Sequence, residues 1–140
     1  MKLVYCACFY QDHESGAYAV VVPDLPGCTT GGEGLAEAIE MATDAASGWV
    51  LDELENGKNI PLATPVEKVE LDPDMGKGFV APIVLDMDRY TEKYGKKSIR
   101  KNLTVPNWLN TKAEQAHINF SQVLKEALME RLGLSERKGA

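Results

Sequence analysis

Alternating and continuous apolar runs predict a β-rich first third of the chain. Residues 3–10 are apolar on both faces, which favours a strand that is covered on one side and paired at both edges. A polar turn at 12–16 separates this run from a second one at 17–22, so the pair predicts a β-hairpin. The prolines and glycine at 23–27 break the second strand, and a short third strand is expected over 28–30.

The hydrophobic period changes at Leu35, where apolar residues begin to recur every three or four positions. This spacing predicts an amphipathic helix of about five turns. Its apolar stripe comprises Leu35, Ile39, Ala42, Ala46, Trp49, Val50 and Leu54. Asn56 and Gly57 are suited to end the helix. Residues 58–78 are rich in proline and glycine and predict a connection, which leads to a final strand over 79–85 and a short helix or hinge over 86–97.

Residues 98–105 alternate again, and they predict a strand with two unlike faces. One face carries Arg100, Asn102 and Thr104, and the other carries Ile99, Leu103 and Val105. Pro106 stops the strand and suits the start of a helix, and a further helix is expected to begin near Asn119. A lone strand is unstable because its edge donors and acceptors need partners. A second copy of the chain would supply them and form a two-stranded antiparallel ribbon.

Such a ribbon fits the DNA major groove, where Arg and Asn side chains can read base edges. The strand, the Pro106 stop and the Asn119-Phe120-Ser121 helix start resemble the ribbon-helix-helix family. The resemblance implies base contacts by alternate strand residues and a phosphate contact by backbone amides of the second helix. Lys101 falls where the family usually places an apolar residue, and near a ribbon end it could reach a phosphate. The implied DNA-binding residues are Arg100, Lys101, Asn102, Thr104, Asn119, Phe120 and Ser121.

The distribution of charge divides the chain into an acidic body and a basic tail. The net charge is −6, from 15 Lys and Arg and 21 Asp and Glu. Residues 1–90 hold 5 basic and 16 acidic side chains, a balance of −11, whereas residues 91–140 hold 10 and 5, a balance of +5. This split indicates two partners of opposite character. The alternative is that both surfaces are simply solvated.

The first part of the chain resembles the HicB antitoxin family. The resemblance lies in the hairpin, the Val22-Pro-Asp-Leu-Pro-Gly-Cys28 turn and the Gly31-Gly-Glu-Gly-Leu-Ala-Glu-Ala38 start of the long helix. It implies an α+β protein with a partial ribonuclease H-like (βββαβ) domain at 1–90, a linker at 91–97, a ribbon-helix-helix domain at 98–134 and a tail at 135–140. Gly34 stands where relatives usually carry a Thr or Ser helix cap, which should weaken this helix start by up to ~1 kcal/mol.

A nuclease of ribonuclease H type would need several carboxylates converging on divalent metals. The strand at 3–10 contains none, and Asp12, Glu14 and Asp24 lie in turns. Neither His13 nor His117 is accompanied by a nucleophile motif. We therefore expect no enzymatic activity, no metal and no cofactor.

Three cysteines, an odd number, favour a reduced, cytoplasmic setting. We expect them to be small buried apolar residues. The start of the chain lacks a signal-peptide pattern. No apolar run approaches the roughly 20 residues that span a bilayer.

The combined resemblance implies a type II antitoxin that inhibits a small basic, HicA-type, mRNA-cleaving toxin and represses its own operon by binding operator DNA. The expected assembly is a homodimer, or a tetramer of paired dimers. The acidic turns would cover the toxin's cationic surface, with Asp12, Glu14, Asp24 and Leu25 as the predicted contacts. The alternative is a ligand-responsive ribbon-helix-helix repressor that has no toxin partner.

Overall fold

The chain divides into two structural units after Gly95. A computed structural model describes residues 1–95 and 97–134. Lys96, which belongs to the predicted linker, and the predicted tail at 135–140 lie outside the described residues. Residues 91–94 of the predicted linker form the end of a helix, which agrees with the short helix or hinge predicted over 86–97.

The first unit contains a four-stranded antiparallel sheet in the order β3-β2-β1-β4. The strands are β1 (Lys2–Gln11), β2 (Tyr18–Val21), β3 (Thr29–Gly32) and β4 (Gly78–Asp86). Its helices are α1 (Leu35–Glu55) and α2 (Met87–Tyr94). The hairpin, the third strand, the long helix and the final strand are confirmed, and the fold class is α+β. As predicted, β1 has a neighbouring strand at each edge.

Helix α1 packs on the sheet through small side chains rather than through the whole predicted stripe. Ala38, Ala42 and Ala46 are fully buried. Leu35, Ile39 and Leu54, which were predicted to face the core, are instead 39% to 42% exposed. The alanines let the helix backbone lie close to β3, so close that a Cβ atom on Gly32 would lie 2.5 Å from the backbone nitrogen of Ala38. The predicted helical period is therefore right, but the buried face is rotated towards the alanines.

The opposite face of the sheet is also covered, which differs from the one-sided cover that was predicted. Cys6, Cys8 and Tyr10 alternate with the residues that face α1, and all three are buried. They lie under the connection from 58 to 77, which includes two short 3-10 helices, Val66–Lys68 and Pro73–Met75. We call this connection the crossing segment.

Side-chain hydrogen bonds attach the crossing segment to β1 in sequence order. Tyr5 Oη donates to the carbonyl of Pro61, Cys6 Sγ lies 3.8 Å from the carbonyl oxygen of Thr64, and Tyr10 Oη accepts from the Asp72 N–H. The segment therefore runs in the same direction as β1. Strand β4 then returns along β1 in the antiparallel direction.

The second unit contains the helices α3 (Asn107–Gln115) and α4 (Phe120–Leu132). The predicted strand over 98–105 is not formed in the single chain, because residues 97–106 have no regular secondary structure. A lone strand leaves its backbone donors and acceptors without partners, so it needs a second strand beside it. Pro106 is the N-cap of α3. No described residue from 97 to 134 is buried.

Candidate protein-binding and DNA-binding surfaces

The structure does not bring the four predicted toxin contacts together. Asp12 and Glu14 lie in the turn that precedes β2, whereas Asp24 and Leu25 lie in the turn that follows it. Because an extended chain advances about 3.3 Å per residue, the four residues of β2 separate the two turns by roughly 13 Å. The predicted contacts therefore lie in two groups, one at each end of β2.

The hairpin turn uses one of its carboxylates internally. Asp12 accepts hydrogen bonds from the Glu14 N–H at 3.1 Å and from Ser15 Oγ at 2.9 Å. These two bonds lower the pKa of the Asp12 carboxyl below its ordinary value. Glu14 is exposed, and its carboxylate makes no ion pair with any described residue. It lines an open cavity of about 640 Å³ together with Tyr18 and Lys77.

The turn after β2 is hydrogen-bonded to the crossing segment and to α1. The two carboxylate oxygens of Asp24 accept from Thr64 N at 2.8 Å and from Thr64 Oγ1 at 2.7 Å, which ties the turn to the crossing segment. Leu25 is 1% exposed and belongs to the core, so its side chain is not accessible to a partner in this conformation. Trp49 donates from Nε1 to the carbonyl of Pro26, which fixes the turn to α1. As predicted, Trp49 packs against the core.

The three cysteines are free and buried, as predicted from the sequence. Burial raises the pKa of each thiol above its ordinary value. Among the described residues, no group of three or more His, Cys, Asp or Glu side chains could hold a metal ion. No helix in the described part of the chain is long and apolar enough to cross a membrane.

The residues of 98–105 that were predicted to contact DNA, three through bases and Lys101 through a phosphate, are all exposed, but they do not lie in a strand. Arg100, Lys101, Asn102 and Thr104 lie in the irregular segment that precedes α3. Their alternate arrangement would appear only if this segment became a strand.

Helix α4 begins as predicted. The side chain of Asn119 accepts from the Gln122 N–H at 3.1 Å and so caps the helix. Phe120 and Ser121 form the first turn, where backbone N–H groups have no partner within the helix. Such groups are suited to hold a phosphate.

The second unit exposes an unusual amount of apolar surface. Apart from Met129, its large apolar side chains are 37% to 81% exposed, and Trp108 is among them. Lys112 Nζ lies 5.8 Å from the centre of the Trp108 ring and covers part of it. Isolated soluble proteins rarely leave contiguous apolar surface of this kind uncovered. The second unit therefore presents a surface that a partner would complete.

The first unit has a further surface that the sequence did not reveal, a groove of about 420 Å³ between α1 and α2. Apolar and aromatic lining residues are Ile39, Val84, Tyr90 and Tyr94, and charged ones are Glu40, Asp44, Asp86, Arg89 and Lys93. One residue in the sequence could have indicated this groove. Ile39 is an apolar residue at the border of the acidic face of α1, but we had predicted that it would face the core.

A family model described as the HicB-like antitoxin of bacterial toxin-antitoxin systems matches residues 5–128. The chain belongs to the HicB-like antitoxin family. The match extends over most of both units of this HicB-like antitoxin, including the irregular segment and most of α4.

The chain is also similar to individual proteins and solved structures. An uncharacterized 14.9 kDa protein from the rep-hol intergenic region of Haemophilus phage HP1 (strain HP1c1) is 36% identical over 98 residues, which are 70% of this chain and 71% of the phage protein. A chain of a toxin-antitoxin complex from Streptococcus pneumoniae is similar with a TM-score of 0.61 and 28% identity, over 94% of this chain and 99% of that one. The Burkholderia pseudomallei antitoxin HicB is similar with a TM-score of 0.54 and 25% identity, over 93% and 98%.

Proposed function

We propose that this HicB-like antitoxin binds and inhibits a small, basic, mRNA-cleaving toxin of the HicA type and represses its own operon. The observation that carries the proposal is the family match over residues 5–128. The similar chain from a Streptococcus pneumoniae toxin-antitoxin complex supports a toxin partner. The chain would act in the cytoplasm by occupying surfaces, without breaking any bond.

In this proposal, the acidic region at 1–90 is the toxin-binding domain, with a partial ribonuclease H-like layout. Its balance of 5 basic against 16 acidic side chains would attract a cationic RNA-binding surface. Charge complementarity of this kind accelerates association and excludes unsuitable partners. Inhibition would follow from occlusion, because a toxin whose RNA-binding surface is covered cannot reach its substrate.

The region at 98–134 would dimerise as a ribbon-helix-helix domain and bind operator DNA. A second copy could supply the strand that 98–105 needs and cover the exposed apolar side chains of α3 and α4. Strand formation would place Arg100, Asn102 and Thr104 on one face, towards base edges. Lys101 and the amides at Phe120 and Ser121 would then be available to phosphates.

The test is to co-express the full chain with the small protein encoded beside its gene and to purify the two together. We expect a stable complex that no longer cleaves mRNA, and we expect the chain to shift a DNA fragment taken from upstream of its own gene. The neighbouring protein without the chain is the control and should cleave RNA. If the chain shifts the DNA but does not bind that protein, the ligand-responsive repressor becomes the better reading.

A further inference from the structure

We infer that the toxin docks on the groove between α1 and α2, together with the acidic outer face of α1, rather than on the turns on either side of β2. This inference rests on the proposed function, because it takes a basic protein as the partner. It names the surface of the first unit that such a partner would cover.

The groove is a formed feature of one structural unit. Tyr90 of α2 lies against α1 at Gly48, where an added Cβ atom would be 3.0 Å from Tyr90 Oη. The Tyr90 ring also packs on Tyr94, with 4.7 Å between ring centres. Ile39 and Tyr94 leave more than two fifths of their surface exposed in the groove. An apolar side chain of a partner would therefore find an apolar floor there without rearrangement of the helices.

The charged rim of the groove continues onto the outer face of α1. Glu37, Glu40 and Asp44 lie three and four residues apart, so their side chains share one face of the helix. All three are exposed, and none forms an ion pair with a described residue. Like charges at this spacing repel each other and destabilise the helix slightly. A cationic partner would remove this repulsion.

Charge decides between the possible occupants. Nucleic acid and anionic membranes would be repelled by the three carboxylates. A second copy of the acidic region would meet a like charge, since residues 1–90 carry a balance of −11. A basic protein with an apolar side chain among its cationic ones matches the apolar floor and the acidic α1 side of the rim, whereas Arg89 and Lys93 of α2 make the other side basic. The rival site at the turns is weaker, because Asp12 and Asp24 are bonded internally and Leu25 is buried.

Two pairs of matched variants of the full chain test the docking surface, with the small protein encoded by the neighbouring gene as the probe. Glu40→Lys/Asp44→Lys reverses two charges at the groove, and Glu67→Lys/Glu70→Lys makes the same change on the exposed crossing segment. Ile39→Ser removes an apolar side chain from the groove, and Met41→Ser does so elsewhere on α1, where the side chain is equally exposed at 41%.

We expect each groove variant to weaken binding at least about tenfold, and each control by less than about threefold. The effect of charge reversal should shrink as salt is raised, whereas that of Ile39→Ser should persist. Circular dichroism checks folding, and the exposed Glu40→Lys/Asp44→Lys variant keeps the test valid if Ile39→Ser unfolds.

The outcomes separate the inference from the function it rests on. If the unaltered chain does not bind the neighbouring protein, the proposed function fails and the inference falls with it. If the unaltered chain binds and both groove variants bind equally well, the docking surface is wrong. A loss confined to Glu14→Lys would move the contact to the hairpin turn. A groove variant that changes only the oligomeric state would assign the groove to a second copy of the chain.

Discussion

At the residue scale, Asp24 and Leu25 have structural roles in the turn after β2 that the sequence did not indicate. The acidic and apolar residues of this turn were predicted to contact a toxin, and in the structure Asp24 accepts hydrogen bonds from Thr64 while Leu25 lies in the core. The Asp24–Thr64 contact joins residues 40 positions apart, and no local pattern announces it. The acidic character of the turn could be predicted from the sequence. The hydrogen bonds that the Asp24 carboxylate accepts could not, because they depend on the path of the crossing segment.

Asn102 is the residue whose role in DNA recognition can be tested most directly. We expect Asn102→Ala to remove a bidentate base contact and to weaken operator binding by ~1–3 kcal/mol. The measurement is a titration of DNA from upstream of the gene at fixed salt. Asn59→Ala, at an exposed position of the crossing segment, is the matched control and should bind DNA normally. Equal affinity of Asn102→Ala and the unaltered chain would refute base reading by this residue.

At the element scale, α1 shows what periodicity can and cannot establish. The spacing of apolar residues correctly predicted a helix, and its bounds of Leu35–Glu55 agree with the start at Leu35 and the end before Asn56. The spacing alone could not show that the alanines, rather than the larger apolar residues, form the buried face of α1. Close packing against β3, where Gly32 lies next to Ala38, makes small residues the better fit. Leu35 and Ile39, which are larger, lie at the border of the buried face of α1. Ile39 lines the groove between α1 and α2.

The start of α1 offers a test of helix capping. Gly34 is the N-cap with an extended backbone, and no side chain caps the helix there, as the sequence predicted. A Cβ atom at Gly34 would meet nothing within 4 Å. We expect Gly34→Ser to be more stable than Gly34→Ala by about 0.5–1 kcal/mol, because only Ser can accept from a first-turn N–H. Gly34→Ala controls for the lost flexibility of glycine in the unfolded chain.

The free energy of unfolding, obtained from urea denaturation, measures this difference. A Gly34→Ser chain no more stable than Gly34→Ala would mean that the serine hydroxyl does not cap the helix.

The segment at 98–105 is an element that the sequence pattern predicts and that the single chain does not form. Its alternation is clear in the sequence, but a strand is stabilised by hydrogen bonds to a neighbour rather than by its own residues. The helices α3 and α4 that follow are formed in the single chain, because the backbone hydrogen bonds of a helix lie within the helix itself. This contrast is the behaviour expected of a ribbon that two copies would build together.

At the scale of the whole molecule, the strands and the long helix of the first unit could be predicted from the sequence. The path of the crossing segment, which covers the other face of the sheet, could not. The crossing segment has no period because it is rich in proline and glycine, so its path over the buried face of Cys6, Cys8 and Tyr10 could not be inferred. The groove between α1 and α2 was missed for a related reason. It depends on a packing contact between Tyr90 and Gly48, which are 42 positions apart in the numbering.

The division after Gly95 predicts that the first unit is autonomous. All buried residues of the described chain lie between Tyr5 and Met87, so the core needs nothing from the second unit. We therefore expect a chain truncated after Gly95 to fold, to remain monomeric and to keep its inhibition of the toxin, but to lose operator binding. Sedimentation, an RNA-cleavage assay and a DNA mobility shift measure the three properties.

Full-length Asn102→Ala is the matched control for the truncated chain, because its operator binding should weaken by the loss of one base contact while it remains a dimer and still inhibits the toxin. The two variants together separate assembly from base reading. A truncated chain that still dimerises would place the dimer contact in the first unit. One that folds but no longer inhibits the toxin would show that toxin binding needs both units, since the avidity of paired sites or a direct contact from the second unit would then be essential.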